Sequence, residues 1–320
     1  MKSAARCLLA VGLTLAIPAA AQTFAPPFAP PSGPVISAGP PPDTAFSDYQ
    51  RGFFLTALHE AMVRVAGNGK DAAAMTLIGQ IYHDGYAVPR NEAEAVRWYR
   101  VASGLGDREA AFALGMLLLN GAPGVPADRA GAKAQFELAA AKGQAGALYN
   151  LGVMALGDKT AGGFPDFATA AADFRRAAEA GYDDAAYSYG VLLREGKGVP
   201  LDIAESARWL KRAADAGVIA GQVEYAIMLF NGVGVAKDEA AAAKLLLRAA
   251  ARNNPIAENR LAHLYASGRG VPKDLVEAAT WNRFAKAAGI DDPDLDAATS
   301  SLTPEQNKRV DDLIRRQAAF

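Results

Sequence analysis

From residue 71 to residue 289 apolar positions recur every three or four residues, and the whole arrangement recurs about every 36. The short period is that of an amphipathic helix. Two columns of small residues set the long one. Gly79, Gly115, Gly152, Gly190, Ala226 and Ala262 are spaced by 36, 37, 38, 36 and 36. Gly106, Gly143, Gly181, Gly217, Asn253 and Gly289 are spaced by 37, 38, 36, 36 and 36. Two columns with one shared period predict a solenoid, in which each unit buries against its neighbours what it cannot bury alone.

Each unit reads as two helices. The first carries the pattern Ala-x-x-x-Leu-Gly, as in Ala110 to Gly115 and Ala147 to Gly152. It is expected to close at Gly85, Gly121, Gly196, Gly232 and Gly268, since glycine takes the left-handed conformation that ends a helix. A loop such as Gly196-Lys197-Gly198-Val199-Pro200 follows. The second helix is expected to open near Asp202, Asp238 or Asp274, whose carboxylates suit N-caps. It runs through stretches such as Ala207-Arg208-Trp209-Leu210 and ends at the second glycine column. All nine prolines after residue 42 fall in these loops or at expected helix starts. Columns of small residues inside the second helix, one from Ala95 to Ala278 and one from Ala102 to Ala285, mark expected helix–helix seams. Trp98, Trp209 and Trp281 also share a column, which reads as core rather than as a ligand platform.

The flanks differ from the units. Residues 46–70 are expected to form an N-terminal capping helix, with Tyr49, Phe53, Leu58 and Met62 on one face. Residues 290–320 are expected to cap the other end. There Thr303, Pro304 and Gln306 combine an N-cap, a first-turn proline and a capping box. In the third unit, Gly157 to Pro165 is longer than its siblings and lacks their Gly-x-Gly-Val, so a bulged loop is expected. Residues 22–45 are rich in proline, with eight prolines and no charge between Phe24 and Pro42, and read as an extended tether. Residues 1–21 have Lys2 and Arg6, an apolar run from Leu8 to Ile17 and the small residues Ala19 to Ala21. This is the pattern of a secretory signal cut after Ala21, too short to span a bilayer. It predicts a periplasmic or secreted protein with no membrane span after cleavage.

Charge and composition narrow the function. The chain of 320 residues carries 33 basic and 34 acidic side chains, and loss of Lys2 and Arg6 would leave 31 against 34. No basic surplus exists to hold nucleic acid. The one cysteine, Cys7, lies in the expected signal, so neither an internal disulfide nor a cysteine zinc site is available. His59, His83 and His263 fall in different units without ligand spacing, so no metal is expected. No Gly-x-Ser-x-Gly elbow or Ser-x-x-Lys motif occurs. Gly232-Val233-Gly234 and its siblings lack the remaining features of a phosphate loop and recur as turns. No cofactor and no catalytic residue is assigned.

One surface remains. Relative to the first small column, positions three before, one after and four after cluster on one side of the first helix. They read Thr76, Phe112, Tyr149, Tyr187, Val223, Asn259; then Gln80, Met116, Val153, Val191, Ile227, His263; then His83, Leu119, Leu156, Arg194, Phe230, Ala266. The stripe is polar at its ends and apolar in the middle. It is either a seam buried between units or the lining of a concave binding face. In the second case Phe112, Tyr149, Tyr187, Arg194, Phe230 and His263 are the candidate partner-binding residues.

The combination Ala-x-Tyr-x-Leu-Gly, Gly-x-Gly-Val and Trp-Tyr/Leu-x-x-Ala-Ala-x-x-Gly resembles the Sel-one-like repeat, a relative of the tetratricopeptide repeat. The resemblance spans residues 71–289 in six copies. It implies an all-α, right-handed solenoid of six helix pairs, capped at both ends. It also implies a non-catalytic scaffold or regulator that binds a protein or peptide, here in the cell envelope. The alternative it leaves is an envelope hydrolase or a β-lactam- or peptidoglycan-binding enzyme. A third reading is a structural element that self-associates. Cysteine-rich relatives are linked to penicillin binding, but their paired cysteines are missing here.

Overall fold

In a computed structural model, which describes residues 43–158 and 165–317, apolar periodicity becomes a stack of helices. Two helices come first, α1 (Thr44–Gln50) and α2 (Phe54–Gly67). Six pairs follow: α3 (Ala72–Asp84) with α4 (Glu92–Gly104), α5 (Arg108–Asn120) with α6 (Arg129–Ala141), and α7 (Ala145–Gly157) with α8 (Phe167–Glu179). The later pairs are α9 (Asp183–Glu195) with α10 (Ile203–Asp215), α11 (Ile219–Asn231) with α12 (Glu239–Ala250), and α13 (Pro255–Ser267) with α14 (Leu275–Ala287). The array ends in α15 (Pro293–Thr299) and α16 (Pro304–Gln317). Each helix from α1 to α14 packs on the next along the chain, and α16 packs back on α14. This is the expected all-α solenoid of six helix pairs. No strand occurs among the described residues; one isolated bridge joins Ala122 and Val125. The expected signal and most of the tether, and the loop of the third unit at 159–164, lie outside the described residues.

Capping follows the sequence closely. Asp202, Asp238 and Asp274 each accept a backbone N–H in the first turn of their helix, and Asn91, Asp128 and Asp166 do the same in the other units. Gly85, Gly196, Gly232 and Gly268 close the first helices in the left-handed conformation. Gly121 does not. Its φ is +67° with ψ 162°, because the next residues fold into a tight turn closed by two Ala122–Val125 hydrogen bonds.

The second small column ends every second helix at positive φ: Gly106, Gly143, Gly181, Gly217 and Gly289 lie between +76° and +96°, and Asn253 lies at +59°. After each, the next residue's N–H reaches back to an alanine carbonyl, Asp107 to Ala102, Gln144 to Ala139, Tyr182 to Ala177, Val218 to Ala213, Asn254 to Ala249 and Ile290 to Ala285. This six-residue closure requires the left-handed residue before it. Asn253 is the one non-glycine at positive φ among the described residues, and its side chain is exposed. Asn253→Val is therefore expected to cost about 1–2 kcal/mol through backbone strain alone. Asn253→Gly is expected to hold or slightly raise stability. Urea midpoints of the two variants check this.

Packing between helices uses size matching. Each first-column glycine receives a large side chain of its partner helix: a Cβ built on Gly79 would lie 2.7 Å from the Tyr99 ring, on Gly115 2.6 Å from Phe136, on Gly152 2.7 Å from Phe174, and on Gly190 2.9 Å from Leu210. Tyr99, Phe136 and Phe174 are almost wholly buried. By register the remaining pairs are Ala226 with Leu246 and Ala262 with Asn282. The two alanine columns are completely buried throughout, and Ser206, the one departure, donates its hydroxyl to the Gly190 carbonyl at 2.7 Å. Trp281 of the tryptophan column is core, whereas Trp98 and Trp209 are half-buried.

The flanks depart from expectation. Residues 46–70 form two helices, not one. Gly52 at φ +84° breaks the segment, and Phe53 becomes an exposed N-cap instead of a core residue. Ala57 and Ala61 are fully buried, and Tyr49, Leu58 and Met62 of the expected face pack against the same cluster. At the other end Thr303 and Gln306 form the expected reciprocal box, Thr303 N–H to Gln306 at 2.8 Å and Gln306 N–H to Thr303 at 3.2 Å. An unexpected short helix, α15, precedes it, capped by Asp292 with Pro293 in its first turn.

Candidate functional site

The stripe of first-helix positions lies on α3, α5, α7, α9, α11 and α13, one turn apart within each helix and one unit apart along the stack. Phe112, Tyr149, Tyr187 and Phe230 are all half-buried. Each ring thus belongs partly to a seam and partly to a surface. Phe112 stands against Phe136 at 6.0 Å between centroids and closes on Gly146 of the next unit, where a Cβ would lie 3.0 Å from the ring. Tyr149 stacks on Tyr182 at 4.8 Å and tilts onto Phe174 at 5.5 Å. Burial first, and then the nearby Asp184 carboxylate, raise the Tyr149 hydroxyl and push Tyr182 up to about 12. Both phenols are therefore neutral hydrogen-bonding groups at any physiological pH. Burial raises Tyr187 in the same way.

Arg194 and His263 are already engaged. Arg194 bonds Glu224 across the junction of units four and five. His263 shares Asp292 with Asn259: its Nε2 lies 2.7 Å from Oδ2, and Asn259 Nδ2 donates to the same oxygen at 2.8 Å. Burial alone would raise the Asp292 carboxyl. The bonds from Asn259, the Leu295 N–H and His263 outweigh it and hold the group below the usual carboxylate range. These contacts between units were not visible in the sequence, because they depend on the angle at which successive units meet.

The structure brings two of the candidates into one depression and leaves the other four along the stack. Phe230 and His263 line a groove of about 530 Å³ between α11 and α13. Ile227 and Leu264 add apolar wall, as does Ile290 from beyond α14. Arg269 lies over the Phe230 ring at 4.1 Å and is held by Glu239 at 2.5 Å. In return Arg269 first, with Lys237, lowers the Glu239 carboxyl to about 2.

At the polar start of the stripe Thr76, Gln80 and His83 face inward. Gln80 donates to Asp84 at 2.8 Å and accepts from the Tyr99 hydroxyl at 3.1 Å, while Tyr49 of α1 donates to the other Asp84 oxygen. His83 meets the buried Glu92 at 2.7 Å, and Arg90 holds the second Glu92 oxygen at 2.6 Å. This network ties α1, α3 and α4 together. In the groove, Ser267 spends its hydroxyl on the backbone carbonyls of His263, at 2.7 Å, and Leu264. It therefore forms no nucleophile–base pair with the neighbouring histidine. Among the described residues no group of three or more His, Cys, Asp or Glu is placed to hold a metal ion, and no helix is long and apolar enough to cross a membrane.

The Sel1 repeat matches six consecutive times, over residues 72–107, 108–144, 145–182, 183–218, 219–254 and 255–289. No curated protein matches significantly. Among solved structures the chain is similar to c5321, a protective antigen of uropathogenic Escherichia coli with an SLR fold, at TM-score 0.71 and 21% identity. That match covers 85% of this chain and 60% of the antigen, so the chain spans about three-fifths of its length. It is also similar to a Sel1 repeat protein from Oxalobacter formigenes, at TM-score 0.64 and 24% identity over 78% of this chain and 98% of that one. At such identities the likeness establishes the fold. Sel1 repeat proteins generally mediate protein–protein interaction and are typically non-catalytic scaffolds. Six contiguous matches cover most of the chain, and each coincides with one helix pair: the protein belongs to the Sel1 repeat family.

Proposed function

We propose that the protein is a non-catalytic scaffold or regulator of the cell envelope that binds a protein or peptide partner on the face built by its first helices. Residues 1–21 would direct its export to the periplasm. The observation that carries this reading is the half-exposure of Phe112, Tyr149 and Tyr187 at unit spacing, with Phe230 half-exposed on the same stripe in the next unit. A rigid stack holds such rings at fixed intervals, so little order is created on binding. Aromatic side chains supply much of the energy of protein interfaces.

Tyr149→Ala combined with Tyr187→Ala is expected to abolish capture of the partner from envelope extract. Because both rings also pack within the array, the pair should cost about 1–3 kcal/mol of stability. Trp209→Ala is the matched control: its ring is half-buried too, but sits on a second helix, edge-on to Tyr189. Quantitative affinity capture with all three proteins separates the effects. Equal loss in both variants would assign it to destabilisation and count against this face. Export is checked separately, by N-terminal sequencing of the protein recovered from the periplasm; a chain still beginning at Met1 would refute it.

A further inference from the structure

The groove between α11 and α13 has a chemistry unlike the rest of the stripe. Its lining is mostly apolar: Ile227, Phe230, Leu246, Ile256, Leu264 and Ile290. Every titratable side chain that lines it is basic, namely Arg260, His263 and Arg269. The chain as a whole carries 34 acidic and 33 basic residues, so this bias is local. Two of the three basic side chains have acidic partners, Asp292 for His263 and Glu239 for Arg269. Arg260 has none: it makes no hydrogen bond, ion pair or ring contact with any described residue. It is exposed at the lip of the groove, one helical turn from the equally open Ile256, which is 47% exposed.

An apolar ligand sliding into this groove would strip water from the Arg260 guanidinium. That costs free energy unless the ligand supplies an anion. The planar fork of arginine matches a carboxylate in particular. A volume of about 530 Å³ takes a few side chains and not a folded surface. We propose that this groove binds an acidic, apolar peptide segment, with aliphatic side chains between α11 and α13 and a carboxylate on Arg260. The proposal rests on the scaffold reading above and adds the chemistry of the partner. The carboxylate has two sources, an Asp or Glu side chain or a free C-terminus.

The test is selection of a synthetic octapeptide library on the purified protein, one half with free C-termini and one half amidated. Expected is enrichment of Asp or Glu beside Leu, Ile, Val or Phe, or of free C-termini behind the same residues; comparing the two halves identifies the source. Arg260→Glu, a change at an exposed helix position, should leave the melting temperature unchanged. It should bind the selected peptides about tenfold more weakly and favour Lys or Arg in a fresh selection. Enrichment without an acidic group, or binding indifferent to Arg260→Glu, overturns the proposal while leaving the scaffold reading intact. Failure to enrich any peptide also overturns it, and the capture experiment with Tyr149 and Tyr187 then judges the scaffold reading alone.

Discussion

Gly115→Ala is expected to destabilise the array by about 1–3 kcal/mol, although alanine is the better helix former. The added Cβ would stand 2.6 Å from the Phe136 ring. Phe136 has no exposed surface and belongs to a continuous cluster of buried residues, so the ring has nowhere to retreat. Phe136→Ala is expected to cost more, about 3–5 kcal/mol, because it empties the same site. The informative variant is the double one, Gly115→Ala with Phe136→Leu. It copies the pairing the chain uses three units later, Ala226 with Leu246, both buried. The double variant should therefore be more stable than Gly115→Ala alone, with a favourable coupling of about 1–2 kcal/mol in a double-mutant cycle read from urea midpoints. Strict additivity would mean that ring and glycine do not share one volume, and would refute the size-matching account of the stack.

That account also explains what the sequence revealed and what it hid. Periodicity exposes what the units share. The Gly79 and Gly106 columns, the Asp202, Asp238 and Asp274 caps and the alanine seams were legible because each unit solves the same packing problem with the same residue types. The capping box at Thr303 was legible for a different reason, as a local reciprocal bond that needs no tertiary context. The break at Gly52 was hidden because apolar residues stand at helical spacing on both sides of it, and only the left-handed φ of +84° separates them. The short helix α15 carried a signal that could have been read, Asp292 as N-cap followed by Pro293. The groove was hidden on principle. Arg260 falls two residues before the first small column, where the six units place Leu77, Ala113, Asn150, Ser188, Glu224 and Arg260. Aligning units averages such a column away, yet its variation is what distinguishes Glu224, bonded to Arg194 of the preceding unit, from Arg260, which is bonded to none of the described residues. Shared positions build the wall, and the positions that differ decide what it recognises.

Truncation after Gly289 is expected to cost on the order of 5 kcal/mol and to make the remaining chain aggregate. One side of α14 is apolar, and the segment after Gly289 covers it. Val276 and Ala279 are buried against Val310, Leu302, Leu313 and Ile314 of the terminal segment, and Leu295 of α15 packs into the cluster that holds Trp281. Polar partners go with the same segment: Asn282, itself 3% exposed, donates to Asp296 at 2.8 Å. α16 suits the task because its apolar side faces α14 while Glu305, Lys308, Arg309 and Asp311 face water. Loss of the last unit should then precede loss of the rest, since each unit in a stack depends chiefly on its neighbours. Hydrogen exchange should show α13 and α14 opening first in the truncated chain while α5 to α8 stay protected. If exposure of the α14 face is the cause, Val276→Lys with Ala279→Glu should restore solubility without restoring the lost stability. A truncated chain that melts with the intact one, and stays soluble, would show instead that α15 and α16 are appended to the array and do not close it.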